Sequence, residues 1–440
     1  MGKIVRILLA VCTAFLLLSC SKDEHFSESA SVESQGTFTA QTRTVMVPHN
    51  KVMILYSAGF HNLSGDLKRN IAELEEGYLP YALRNDDVLL VFARNTLSYG
   101  NYGTPNAPVL IRMSRDSEGK AVRDTVKVWP KETLAADPAT MTEVLTYVKD
   151  NYPAASYGMV FSSHGTGWLP QGYYESGSSS EFEDVWAAPC PHRSIGMDVT
   201  GNMPNHVITE MAVDAMAAAI PMHLDYLLID ACLMGCVEVA YAFRDKVSVM
   251  GFSPTEVLSE GFDYTKMAAL LLGEKSDPTA VCSAYIEKYL AKTGTSRSAS
   301  ISVVNLEHIG ELGEVCATLF EKYRSEIAAI KAGSETVVSD GQTVRKFTPQ
   351  NYYTSSHHWF YDMRDILVTA GVSEMDLGLL DSVLDKVVIY ENHTPNFLVY
   401  TQFQFHSCCG MSMFLPSDNS DEKLAAYYKT LSWNKATGLI

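Results

Sequence analysis

The sequence predicts an α/β fold: a mainly parallel sheet flanked by helices, with a C-terminal α+β extension. Short apolar runs alternate with helical stretches along most of the 440 residues, the pattern of strand–crossover–strand units. Residues 158–164 and 227–232 are continuous apolar runs that end abruptly in His164 and Cys232. Strands buried on both faces read in this way. Hydrophobic content of 47% in a chain of this length is enough for one large core or two smaller ones.

The first 19 residues stand apart from the fold. Lys3 and Arg6 precede an apolar run over residues 7–18, too short for an ordinary membrane-spanning helix and suited to a signal peptide. Leu17-Leu18-Ser19-Cys20 is similar to a bacterial lipobox, which makes Cys20 the expected lipidated N-terminus. A plain secretory signal with an incidental cysteine is the alternative. Ser21-Lys22-Asp23-Glu24 has no aspartate directly after the cysteine, which favours the outer membrane, and its acidic residues are similar to surface-export signals. Residues 20–45 are rich in Ser, Thr, Glu and Gln and read as a disordered tether.

Order is expected from residue 51. Strands are predicted at 51–57, 87–92, 108–113 and 125–129, with helices over 63–83 and 140–151 before the strand that ends at His164. Residues 169–206 carry Gly, Ser, Pro and acidic groups without periodicity and read as a long loop, either a cover for the cleft or a plain insertion. Helices at 207–219 and 234–243 flank the strand to Cys232, and a strand follows at 247–252. Helices near 263–272, 278–292 and 306–332 surround a strand at 299–305. The chain closes with helices at 362–370 and 375–386 and strands at 387–390, 397–405 and 411–415.

A net charge of −17 argues against a nucleic-acid partner, which requires a basic footprint. The nine cysteines lack the rhythm of a small disulfide scaffold. Cys408 and Cys409 read as buried apolar thiols; a His406–Cys408–Cys409 metal site has no second ligand pair at metal-site spacing.

An imidazole and a thiol at neighbouring strand tips are the base and nucleophile of a cysteine hydrolase, because the carboxyl ends of parallel strands line one crevice. A helix beginning near Leu233 would present free N–H groups to a Cys232 thiolate. The backbone N–H groups of Gly165 and Cys232 are the expected oxyanion hole. Asp230 lies two residues before Cys232 on the same strand face, positioned either to meet a basic substrate side chain or to cap the following helix.

Ser163-His164-Gly165-Thr166-Gly167-Trp168 and Asp230-Ala231-Cys232-Leu233-Met234-Gly235 with Glu238 closely resemble the clostripain family of cysteine peptidases. The similarity continues through Ser253-Pro254-Thr255-Glu256, 261–264, 300–306 and 410–416, and so spans roughly residues 50–416. The resemblance implies a caspase-like sheet, His164 as general base, Cys232 as nucleophile, and hydrolysis after basic residues, often with calcium dependence and self-cleavage. A catalytic domain is expected at 46–273, with a C-terminal extension at 274–440 packed on it. The resemblance also puts Asp230 in the basic-residue pocket. Glu256 is a second candidate there, against an ordinary loop carboxylate.

Arg193 is nearly the sole basic residue at which the loop after His164 could be cut. Chemistry of this type requires no cofactor, and no Asp-x-Asp-x-Asp-Gly loop marks a calcium site. Peptides or proteins are the expected partners, and a monomer the expected state. The competing class is a non-catalytic surface lipoprotein that binds a peptide, protein or glycan through the same fold. Trp168 is expected to pack beneath a loop, Cys236 to lie in the core, and His357-His358 to be a plain loop pair.

Overall fold

A computed structural model describes residues 49–83, 86–95, 106–170, 194–200, 207–353, 358–399, 401–418 and 420–440. The leader, Cys20, the tether, Cys190, Arg193 and His357 lie outside them, as does most of the long loop after His164. The chain enters through β1 (His49–Gly59) and helix Ser64–Glu76, then β2 (Asp87–Asn95) and the pair β3 (Val109–Arg115) and β4 (Ala121–Val128). Helix Pro138–Asn151, N-capped by Asp137 with Pro138 in its first turn, leads into β5 (Ala154–Ser162). The pair β6 (Ile195–Thr200) and β7 (Val207–Met211) precedes helix Val213–Ala219 and β8 (Leu224–Asp230). Helix Val237–Ala242 and β9 (Val247–Phe252) come next, and helices Tyr264–Leu271 and Pro278–Leu290 then lead to β10 (Ser300–Asn305).

Helix Ile309–Lys322 is followed by the hairpin β11 (Gly333–Ser339) and β12 (Gln342–Thr348), and by the short β13 (Tyr361–Asp362). Helices Met363–Thr369 and Glu374–Val387 deliver the chain to β14 (Val388–His393). Three two-residue strands, β15 (Asn396–Phe397), β16 (Phe403–Gln404) and β17 (Ser412–Met413), precede the final helices Glu422–Tyr428 and Ser432–Thr437.

Nine strands form the central sheet in the order β14-β10-β9-β8-β5-β1-β2-β3-β4. The inner five, β9 to β2, are mutually parallel, and each edge is finished by antiparallel strands. The expected α/β class with a mainly parallel sheet is therefore what the chain adopts. β10 and β14, from beyond residue 273, belong to the same sheet, and all the described residues fall in one compact unit.

Alternation along β1 sends Val52, Ile54 and Tyr56 into one apolar layer and Met53 and Leu55 into the other. Helices cover both layers, which is why the strand is apolar without interruption. From β1 the chain goes first to β2 on one side and later to β5 on the other. The crevice beyond the carboxyl ends of β1, β5 and β8 lies at this switch, where an open α/β sheet accepts a ligand.

Several local expectations need correction; among them, the helix expected over 63–83 ends at Glu76 and the strand expected over 411–415 is only Ser412–Met413. Residues 194–200 are not loop but β6, which pairs antiparallel with β7. The expected helix over 207–219 is consequently a strand to Met211 and a helix only from Val213, since Val207, Ile208 and Thr209 are β-branched and find a partner in β6. The helix after Cys232 begins at Val237, not near Leu233. The expected strand over 397–405 is reduced to β15 and β16, each two residues long.

β6 is fastened to the sheet by a buried ion pair. Asp198 lies 2.9 Å from Arg94 at the end of β2, with both side chains almost fully enclosed. Asp198 also accepts hydrogen bonds from the amides of Ala135 and Ala136. Burial pushes its carboxyl up to about 6, while Arg94 and the two amides pull the other way. Removing one partner strands a charge in the core, so Asp198→Ala should destabilise the chain by about 3–5 kcal/mol in urea denaturation. A loss under about 1 kcal/mol would show that β6 is held by other contacts.

Candidate active site

The two reactive tips meet because their strands are neighbours in matched register. Ser57 of β1 lies opposite Ser162 of β5, and Ser162 lies opposite Asp230 of β8. The ladder runs one step further, with the Ser163 N–H donating to the Asp230 carbonyl at 3.3 Å. His164 and Cys232 each follow two residues after a matched pair. Contact between the tips is close: a Cβ on Gly165 would lie 3.0 Å from the Cys232 carbonyl oxygen and 2.7 Å from the Met234 sulfur. Only glycine allows the histidine turn to sit on the cysteine turn in this way. β6 holds the outer side of that turn, since Thr166 N–H donates to Ser194 at 2.8 Å and Gly196 N–H to His164 at 2.9 Å.

His164 is buried, and its orientation comes from residues that follow β1. Its Nε2 lies 2.7 Å from Asn62 Oδ1, an acceptor, a contact that suits the tautomer with the proton on Nε2. The His61 ring packs 4.5 Å from the His164 ring. His61 is itself fixed, with Nε2 donating to the Ala58 carbonyl at 2.7 Å and Nδ1 accepting from Leu63 N–H at 3.2 Å. Ser163 Oγ donates to the same Ala58 carbonyl and accepts from Met197 N–H at 3.0 Å. No motif in the sequence marks Asn62 or His61. Their signal was position alone, as polar residues directly after the strand that neighbours the histidine strand.

Cys232 does not sit at a helix N-terminus. It occupies an extended turn held by the segment that follows β9: Leu233 N–H donates to Thr255 at 2.9 Å and Gly235 N–H to Ser253 at 2.7 Å. Gly235 is required there, because a Cβ would fall 2.4 Å from Pro254 N. Leu233 takes φ of 61°, a left-handed conformation that costs a non-glycine residue about 1–2 kcal/mol. These bonds exclude a helix before Val237, and they supply a different partner for sulfur. The Val257 N–H points at Cys232 Sγ at 3.3 Å, a donor suited to a thiolate.

The two acidic candidates have different surroundings. Asp230 is buried and accepts from Tyr264 O–H at 2.7 Å and from Phe262 N–H. Burial raises its carboxyl to about 6 against those bonds. It caps no helix; Cys236 is the N-cap residue of the next one. Glu256 is 7% exposed and adjoins Val257 at the sulfur. Among the described residues no hydrogen bond or ion pair to its carboxylate is found, and burial alone raises it to about 7.

Trp168 is fully buried against Phe414 and Tyr428, as a packing residue. Cys236 is buried too, its thiol pushed well above the usual range by burial and by Glu238. His358 pairs with Asp418 at 3.0 Å.

The model of the clostripain family, peptidase family C11, matches residues 55–438. The chain belongs to the clostripain family of cysteine peptidases. Clostripain of Hathewaya histolytica is 24% identical over 272 residues, which cover 56% of this chain and 45% of that protein. The chain thus spans less than half the length of this curated relative. An inactive zymogen C11 protease from Parabacteroides distasonis is 25% identical, with a TM-score of 0.68 over 89% of this chain and 99% of that one. A secreted C11 cysteine protease from Bacteroides thetaiotaomicron, solved with an irreversible peptide inhibitor, shares the fold at a TM-score of 0.69 and 22% identity, covering 88% and 99%. The sheet is thus the caspase-like one that the clostripain resemblance implied, and peptidases of this family need no cofactor for their chemistry.

Within this site, Asn62 holds the orientation of the His164 ring through its Nε2. Asn62→Ala should lower kcat by about tenfold or more with little change in KM, and displace the acid limb of the pH profile. An unchanged kcat and pH profile would remove Asn62 from the machinery.

Proposed function

We propose that the chain is a lipid-anchored cysteine endopeptidase that hydrolyses peptide bonds after lysine or arginine, with His164 and Cys232 as its catalytic pair. The observation that carries this reading is the packing of Gly165 on the Cys232 carbonyl at the matched ends of β5 and β8. Cys232 Sγ attacks the scissile carbonyl carbon as a thiolate, and the N–H groups of Gly165 and Cys232 receive the developing oxyanion. Protonated His164 returns its proton to the leaving amine. A water deprotonated by neutral His164 then cleaves the thioester and restores the thiol.

The basic preference rests on Glu256, a buried carboxylate beside the nucleophile with no partner among the described residues. A cationic side chain gives that charge the pairing its burial demands, and Asp230 adds a second negative charge beneath it. The sign of the pH effect follows from the raised carboxyl. In the free protein, ionising Glu256 weakens the fold as pH rises from the ordinary carboxylate range through about 7. A bound lysine or arginine offsets that loss. Cys20 after Leu17-Leu18-Ser19 is the proposed lipid attachment site, which places the peptidase on the outer membrane, facing the periplasm or the cell surface.

Matched fluorogenic peptides ending in Arg, Lys, Asn, Asp or Leu provide the test. Turnover should be confined to Arg and Lys, with KM falling between about pH 6 and 8, and Cys232→Ala should reduce it by about four orders of magnitude. Glu256→Gln should raise KM for basic peptides by about thirtyfold and flatten its pH dependence. Turnover only after other residues would sink the acidic pocket. No turnover by folded protein, even after mild nicking, would favour a binding lipoprotein instead. Cys20→Ser should move the chain from the membrane fraction to the soluble one; an unchanged distribution would remove the anchor.

A further inference from the structure

At the far edge of the sheet from β4, a mixed set of side chains converges. Glu391 and His393 lie two residues apart on β14, so both project from the same face of the edge strand. Cys408, from the segment between β16 and β17, comes up to that face. One ligand atom from each of the three lies within 4.8 Å of the other two. A tetrahedral zinc with bonds of about 2.0–2.3 Å holds its ligands about 3.5 Å apart, so small side-chain rotations close the set.

Two further features belong to a metal site. His393 Nδ1 lies 2.8 Å from the Thr394 carbonyl, which can only accept. The ring proton is therefore on Nδ1, and the Nε2 lone pair is left for a cation, the outer-shell arrangement typical of metal-binding histidines. Thr394 is tied in turn to Ala299 at 2.9 Å and to Asn396 at 2.8 Å, and Phe405 stacks on the imidazole at 4.5 Å. The segment bearing Cys408 is also pressed against the sheet, since a Cβ on Gly410 would meet Val388 at 2.8 Å and Ser302 at 3.2 Å. Cys409 is otherwise engaged, its thiol donating to the Met411 carbonyl at 3.2 Å. His406 is turned to Asp365 at 3.4 Å, so the His406–Cys408–Cys409 grouping is not assembled.

We infer that Glu391, His393 and Cys408 form a zinc site that clasps β14 to the segment leading into β17. Thiolate, imidazole and carboxylate together suit zinc better than calcium or magnesium, which take oxygen. Cys408 gives its thiol proton to solvent as sulfur binds the ion. Glu391 is exposed, so water completes the fourth position. The clasp bears on the peptidase site through four residues of chain: Ser412 N–H donates to the Gly235 carbonyl at 2.9 Å, on the turn that carries Cys232.

The test uses the full, reduced chain with Cys232→Ala, so that the nucleophile cannot itself take metal. Titrated with Co2+, this protein should bind one equivalent with a thiolate-to-cobalt charge-transfer band, and zinc should displace the cobalt. Adding Cys408→Ser should abolish the band and weaken zinc binding about a hundredfold against a chromophoric indicator. His393→Ala should weaken zinc binding similarly without touching a cysteine, and Cys409→Ser should change neither readout. Circular dichroism confirms that each variant is folded. A band that survives Cys408→Ser, or folded Cys232→Ala protein that takes up neither metal, would overturn the site. Peptide turnover is no part of this readout, so its outcome is independent of the proposed activity.

Discussion

The parallel register of β5 against β8 is the constraint on which the site depends. Ser162 faces Asp230, and each strand then runs two residues further to His164 and Cys232. A slip of one residue would exchange the faces of every side chain on the slipped strand and carry its tip away from the crevice. The apolar layers on both sides of the sheet make that slip costly, because Val160 and Leu228 belong to one layer and Phe161 and Ile229 to the other. Packing that stabilises the fold thus also fixes where the two tips lie. Gly165 completes the arrangement by removing the one atom that would keep the tips apart.

Around this pair, the supporting groups come from four distant parts of the chain. β1 delivers Asn62 and His61 to the back of the imidazole. β6 braces the turn after His164 and is itself held by the Asp198–Arg94 pair. The segment after β9 holds the cysteine turn through Ser253, Thr255 and Val257, and β17 closes it from the C-terminal side through Ser412. The strained backbone of Leu233 is maintained by this ring of hydrogen bonds. A turn fastened on both sides keeps its thiol in place without the help of a helix dipole.

Much of this was legible in the sequence, for identifiable reasons. The runs ending at His164 and Cys232 are buried on both faces, so their apolar character is continuous and their ends are abrupt. β6 is hidden in the sequence because Ile195–Thr200 contains Gly196 and Asp198, and its partner β7 runs straight into a helical pattern. What makes it a strand is tertiary: Asp198 finds Arg94 and two amides some sixty or more residues away. The sequence around Cys232 points to a helix because Leu233 and Met234 are good helix formers, whereas the bonds that prevent one come from Ser253 and Thr255. Asn62 carried no motif at all, and Cys408 resembled any buried thiol until β14 placed Glu391 and His393 beside it.

The central claim is that Cys232 is the nucleophile of a pocket built for a basic side chain. It is tested most directly by treating the chain with a peptidyl electrophile ending in lysine and mapping the adduct by mass spectrometry. One adduct per chain, on Cys232 and absent in His164→Ala, is the expected result. Labelling of Cys236, Cys408 or Cys409 instead, or labelling of Cys232 equally well by an electrophile ending in aspartate, would contradict the account.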